Sequence, residues 1–207
     1  MTMPSLWTAA APLVLASSSR IRAAMLEAAG IPIEVVPAAV DERALEAPLL
    51  ARGAPATAVA AHLARAKAVA VSAAMPGRLV LGADQVLALG AERLNKPSDM
   101  AAARARLRVL SGTTHSLHAA AALAQDGTVA AEAAQEATLT MRVLSEDFLD
   151  RYVATAGPGV CDSVGAYQLE GLGVHLFATI VGDHFTVLGL PLLPLLGCLR
   201  DLGTLSP

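Results

Sequence analysis

Asp84 follows an apolar run in LVLGADQV, and a carboxylate so placed can hold a metal or take a proton from water. If 79–83 is a strand, Asp84 falls just past its carboxyl end, where open α/β sheets bind their ligands. An aspartate there also commonly does no more than cap a turn. Upstream, Ser17, Ser18 and Ser19 stand between an apolar run and a helical pattern, with Arg22 one turn further on. Hydroxyls and free amides at a helix start favour an anion, and the arginine adds charge. Serines at such a place are nonetheless capping residues far more often than ligand contacts. In LNKPSD, Pro97 stiffens the chain beside Lys96, which in isolation reads as a solvated loop lysine. The stretch EGLGVHLFATIVGDHFTVLGLPL embeds Glu170 and Asp183 among glycines and apolar residues, and alone it reads as turns and a buried strand.

Positioning these groups requires an alternation of short apolar runs with helical patterns, the mark of an α/β fold. Leu13 to Ala16 reads as a buried strand, and any of the three serines can cap a helix to about Ala29, stopped by Gly30. Ile31, Ile33 and Val35 alternate with polar residues or proline as a second strand leading to Asp41 and Glu42, followed by a turn-rich stretch. Thr57 then opens a long helix with Val59, Leu63, Ala66 and Ala70 on one stripe. Lys67 sits at the stripe's edge, so its stem can pack while its ammonium reaches a cleft. Further strands are expected at 79–83, 115–123, 134–143 and 174–181. Helices are expected from Ser98 to Gly112, from Ser145 to Gly157, and from about Pro191.

With 207 residues, 55% of them hydrophobic but only 3% aromatic, the chain can build a core from Ala, Val and Leu and has little for stacking on bases. A net charge of -3 and no run of Lys or Arg argue against broad attraction to nucleic acid, so positive charge for an anionic ligand must be local. The uncharged stretch 186–199 is too short and too broken by proline to span a bilayer. Cys161 and Cys198 are isolated, suggesting neither a disulfide framework nor a zinc site and fitting a reducing cytoplasm. The first nineteen residues carry no charge and lack the basic start of an export signal, so export is not expected. The five histidines have no Ser or Cys in a recognisable nucleophile context, and neither G-x-S-x-G nor the P-loop pattern occurs.

Taken together and in order, LASSSRIR, VDE at 40–42, KA at 67–68, GADQV, NKP at 95–97, LSGTTH, VGAYQLEG and GDHFTVLGLPL resemble the Maf-like nucleotide pyrophosphatases, once called septum formation inhibitors. The resemblance runs from about Leu13 to Leu196 within one domain spanning 1–207. It implies a mixed α/β sheet in a two-lobed, Maf/ITPase-like fold with a central cleft, usually dimeric, cleaving a nucleoside triphosphate between its α and β phosphates. Carried over by position, Ser17, Ser19, Arg22 and Lys67 would bind phosphate, with Lys96 neutralising charge at the reacting end. Glu42 and Asp84 would serve Mg²⁺ or Mn²⁺ or the attacking water, Asp84 as proton acceptor. Gln85 and Glu170 stand where the family varies with substrate, and with EGLG they resemble the subgroup acting on 7-methylated guanine nucleotides rather than on dTTP and UTP. One departure is local: Ile21 replaces the first of the family's two arginines, and Arg20 takes the place of a proline. The rival expectation is a non-hydrolytic nucleotide-binding regulator of cell division, with the same cleft and no need of Asp84.

Overall fold

The computed structural model describes residues 5–207, so the first four residues of the uncharged leading segment lie outside it. Seven strands form one mixed sheet in the order β2-β1-β3-β5-β6-β7, with β4 paired to β3. The strands are β1 Leu13–Leu15, β2 Ile33–Val35, β3 Val80–Leu89, β4 Glu92–Leu94, β5 Thr114–Gln125, β6 Thr128–Met141 and β7 Phe177–Val181. β1 runs parallel to both β2 and β3, whereas β3, β5, β6 and β7 are successively antiparallel.

Among the described residues seven helices surround the sheet: α1 Arg20–Ala28, α2 Glu42–Ala51, α3 Ala56–Ala74, α4 Met100–Leu110, α5 Glu146–Ala156, α6 His184–Val187 and α7 Leu192–Asp201. α3 lies on one face, its Val59, Leu63, Ala64 and Ala68 packed with Val86, Ala120 and Ala122 of the strands. The other face carries two separate apolar clusters. One joins Leu13, Leu26, Leu81 and Leu123 to Leu195 and Leu199 of α7, and the other joins Leu87, Leu107, Leu117 and Leu139 to Leu149 of α5. The division between them crosses β3 near its middle, and there the expected two lobes meet.

Several expectations are corrected. β3 does not end at Ala83 but continues to Leu89, so Asp84 lies in mid-strand. The expected loop is a hairpin, turning at Gly90 with φ of 60° into β4. The stretch read as turn-rich contains α2, whose cap Asp41 accepts a hydrogen bond from Ala44 N at 3.0 Å. Pro48 inside that helix disguised it, since proline is costly in a helix interior. α4 is capped by Asp99 rather than Ser98, because the Asp99 carboxylate reaches Ala102 N at 2.8 Å. β5 and β6 form a longer hairpin than expected, turning through Asp126 and Gly127 with φ of 51° and 74°. Such an Asp-Gly pair with two positive φ angles is the signature of a two-residue hairpin turn. The last strand starts at Phe177 rather than Val174, after a 3-10 turn over Leu172–Leu176.

Candidate active site

The cleft originates in a gap along one edge of β3. On that edge β1 pairs only with Val80 and Leu81, and β4 only with Leu87 to Leu89. The intervening residues are paired on their other side by β5, so they are held as strand yet have one edge open. Asp84 and Gln85 sit in this opening, their side chains directed to opposite faces as the pleat demands. The cavity there measures about 900 Å³ and is lined by every residue expected from the sequence: Ser17, Ser19, Arg22, Glu42, Lys67, Asp84, Gln85, Lys96 and Glu170.

Lys67, in the middle of α3, is buried, and its Nζ donates to Asp84 Oδ1 at 2.6 Å and lies 2.8 Å from Glu42 Oε1. The helix approaches this closely because Gly82 has no side chain. A Cβ there would collide with Ala64 O and come within 2.6 Å of Ala68 N. Burial raises the Asp84 pKa above its ordinary value, and the repulsion of Glu42 adds to this; the positive charges of Lys67 and then Arg22 oppose it. Glu42 opens α2 at its first turn, where its charge suits the helix N-terminus, and its side chain is half exposed.

Arg22 is held by fixed acceptors. Its Nε donates to Gly189 O at 2.8 Å, and its Nη1 donates to Ala83 O at 2.9 Å and Ser17 Oγ at 3.1 Å. Ala83 O belongs to the open edge of β3, so the gap in the sheet also supplies the arginine's anchor. Gly189 has φ of 96°, which explains the glycine in the LGLPL stretch. Burial lowers the Arg22 pKa, with Asp84 and Glu42 opposing, and a guanidinium remains a cation throughout the working range. Ser19 is the actual cap of α1, accepting from Arg22 N at 3.4 Å, and Ser17 Oγ accepts from Ser19 N at 3.3 Å.

Gln85 spends its amide hydrogens on Thr186 O at 2.9 Å and Val187 O at 3.1 Å, tying α6 to the floor of the cleft. Lys96 and Glu170 are exposed on the cleft wall, and neither forms an ion pair among the described residues. Two further residues, Arg93 and Glu46, line the same cavity and face each other at 3.5 Å. Glu42 and Glu46, one helical turn apart, were a signal for them once α2 is recognised.

Below the wall that bears Glu170, His115 Nε2 lies 2.7 Å from Tyr167 Oη, both side chains buried. Burial pushes His115 down to about 4 and Tyr167 well up, so both are neutral at pH 7.

Among the described residues no three His, Cys, Asp or Glu side chains converge as metal ligands. The donors present are the carboxylates of Glu42 and Asp84, drawn together on one ammonium. That set fits Mg²⁺ or Mn²⁺, which bind through one or two carboxylates and complete their shell with water and substrate phosphates.

The fold and site together define an α/β protein with a deep, mixed-charge cleft sized for a nucleotide. Residues 12–202 match the Maf-like protein family, and the chain belongs to it. It is 54% identical over 194 residues to the 7-methyl-GTP pyrophosphatase of Rhizobium etli, covering 94% of this chain and 98% of that one. A nucleoside triphosphate pyrophosphatase of Rhodopseudomonas palustris strain BisB18 is 53% identical, with 95% and 96% covered. The 7-methyl-GTP pyrophosphatase of Mesorhizobium japonicum is also 53% identical, with 94% and 98% covered.

Proposed function

We infer that this chain is a nucleoside triphosphate pyrophosphatase, hydrolysing the bond between the α and β phosphates to release a nucleoside monophosphate and pyrophosphate, and that 7-methyl-GTP-like nucleotides are its preferred substrates. The observation that carries the reading is the ammonium of Lys67 bridging Asp84 and Glu42 inside a cleft that also holds Arg22 and Lys96. The relatives' names support both the reaction and the base. Displacement at phosphorus depends mainly on positioning and charge neutralisation, which this arrangement offers.

Lys67 hydrogen-bonds Asp84 through Oδ1, leaving Oδ2 for the proton of the attacking water. The raised Asp84 pKa strengthens it as a base toward the operating pH. Water oxygen bonds to the α phosphorus, the bond to the α-β bridging oxygen breaks, and that oxygen leaves with pyrophosphate. Arg22, Lys96 and the third hydrogen of the Lys67 ammonium neutralise the leaving group. Glu42 and Asp84 would hold Mg²⁺ or Mn²⁺, which would supply a Lewis acid at the phosphate and lower the pKa of bound water. The Glu170 carboxylate, exposed on the wall, can accept from the N1 and exocyclic amine edge of a guanine, which uracil and thymine lack.

The same reading includes a homodimer in the cytoplasm. Val143, Val174 and Val181, exposed at or beside the edge strand β7, support a covering second copy, and the free Cys161 and Cys198 suit a reducing compartment. No helix among the described residues is long and apolar enough to cross a membrane.

Pyrophosphate measured from a panel of 7-methyl-GTP, GTP, dTTP, UTP and a pseudouridine triphosphate tests the function. The expected result is metal-dependent release, fastest with 7-methyl-GTP, abolished by chelation, and cut by about 10² to 10⁴ in Asp84→Asn. Binding without release would select the non-hydrolytic regulator instead, and near-normal turnover in Asp84→Asn would remove that residue from the mechanism.

A further inference from the structure

Arg106 of α4 is not part of the cleft wall, yet it touches both sides of it from behind. Its Nη1 donates one hydrogen to Asn95 O and the other to Val164 O, each at 2.8 Å. Asn95 directly precedes Lys96, and Val164 starts the segment that bears Tyr167 and Glu170. Those two segments are far apart in sequence, and each lines the cavity. The second segment is otherwise secured at Tyr167 by His115 and by the bonds of Gly171 N and Gly173 N to Gln168 O, at 3.1 and 3.0 Å. None of these contacts reaches the Lys96 loop.

We propose that Arg106 is a positioning residue that couples triphosphate binding at Lys96 to nucleobase selection at Glu170, by holding the two segments in one register through a single guanidinium nitrogen. Arg106 itself lies outside the lining of the cavity. A planar guanidinium suits the task, because its hydrogens diverge at fixed angles and a shift of either carbonyl costs a bond. Burial also lowers the Arg106 pKa, with Glu92 opposing, as expected of a cation whose partners are carbonyl dipoles.

The inference rests on the pyrophosphatase reading, and the test separates the two. Arg106→Met keeps the packed stem and removes both donors. Calorimetry with Mg²⁺ measures the affinity of inorganic tripolyphosphate, which reports on the Lys96 side. The ratio of 7-methyl-GTP to UTP affinity reports on the Glu170 side. The expected result is a loss of about tenfold or more in both, the scale at which small misplacements act, with a melting temperature close to wild type. A loss in only one measure, or in neither, overturns the coupling. If Arg106→Met does not fold, Arg106→Lys carries the test: its shorter side chain predicts the same two losses, smaller, and unchanged affinities overturn the proposal. Pyrophosphate release by the wild type is measured alongside. Its absence contradicts the function, whereas release with unaltered affinities in the variants contradicts Arg106 alone.

Discussion

At the scale of single residues, catalysis depends on the charge balance around Asp84. Burial and Glu42 hold its proton on, whereas Lys67 and Arg22 pull it off, and the net displacement is upward. A base must be ionised to work, so the rate rises with pH through the Asp84 pKa, and the acid limb of the kcat/KM profile is expected above the ordinary carboxylate range. The two neighbours give opposite outcomes. Lys67→Met removes the largest opposing charge and moves the limb to higher pH. Glu42→Gln removes a like charge and moves it lower. Limbs that do not move, or move the other way, would show that another group titrates. For stability the sign is reversed: a carboxyl with a raised folded pKa favours the fold most at low pH, and that contribution fades as pH climbs through the raised value. Arg22 could be picked out from its helix position, and Lys67 as a lysine on a largely apolar helix, although it lies on the buried face rather than at the edge of the stripe. The main-chain anchors of Arg22 could not, because the oxygens of Ala83 and Gly189 are groups on which side-chain identity leaves little mark.

At the scale of elements, the approach of α3 to β3 decides whether Lys67 can reach Asp84. Gly82→Ala puts a methyl against Ala64 O and Ala68 N, main-chain atoms of a helix that cannot yield by rotating a side chain. A loss of at least about 2 kcal/mol is expected, as for overpacked cores, readable as a lower denaturant midpoint. A fall in kcat should accompany it as the helix is pushed from the strand; an unchanged midpoint would mean that the contact is softer than described. Much of the element plan was legible. Ser145, Gly157 and Gly30 bound helices where capping rules put them, whereas the α3 stripe was legible only in its first half: Val59 and Leu63 are buried, but Ala70 is exposed, and Ala64, Lys67, Ala68 and Val71 form the rest of the buried face. What escaped had specific causes. Pro48 hid α2, and the alanine-rich first half of β6, where exposed and half-buried residues alternate without a matching alternation of apolar and polar types, gave no strand period. The gap between β1 and β4 that opens the cleft depends on strand pairing, which local patterns do not encode.

At the scale of the whole molecule, the cleft occupies the open stretch of the β3 edge between β1 and β4, where the two apolar clusters also divide. All nine residues given site roles from the sequence line that cleft, although they come from segments spread over 154 positions, from Ser17 to Glu170. Their short motifs carry little alone; their order was the legible signal, since only a shared pocket makes use of all of them. The edge strand β7, with Val181 exposed at its end, is where the homodimer reading is tested. Sedimentation equilibrium is expected to give twice the chain mass for the wild type and the chain mass for Val181→Glu. A wild-type monomer would remove the dimer and leave the cleft as described.

Attack of water on the α phosphorus within this cleft has one direct test. Hydrolysis in water enriched in the heavy oxygen isotope, with the products separated and weighed by mass spectrometry, locates the attacked atom. The label is expected in the nucleoside monophosphate, with the pyrophosphate unlabelled. Label in pyrophosphate, or release of labelled orthophosphate, would contradict attack at the α phosphorus and place it elsewhere.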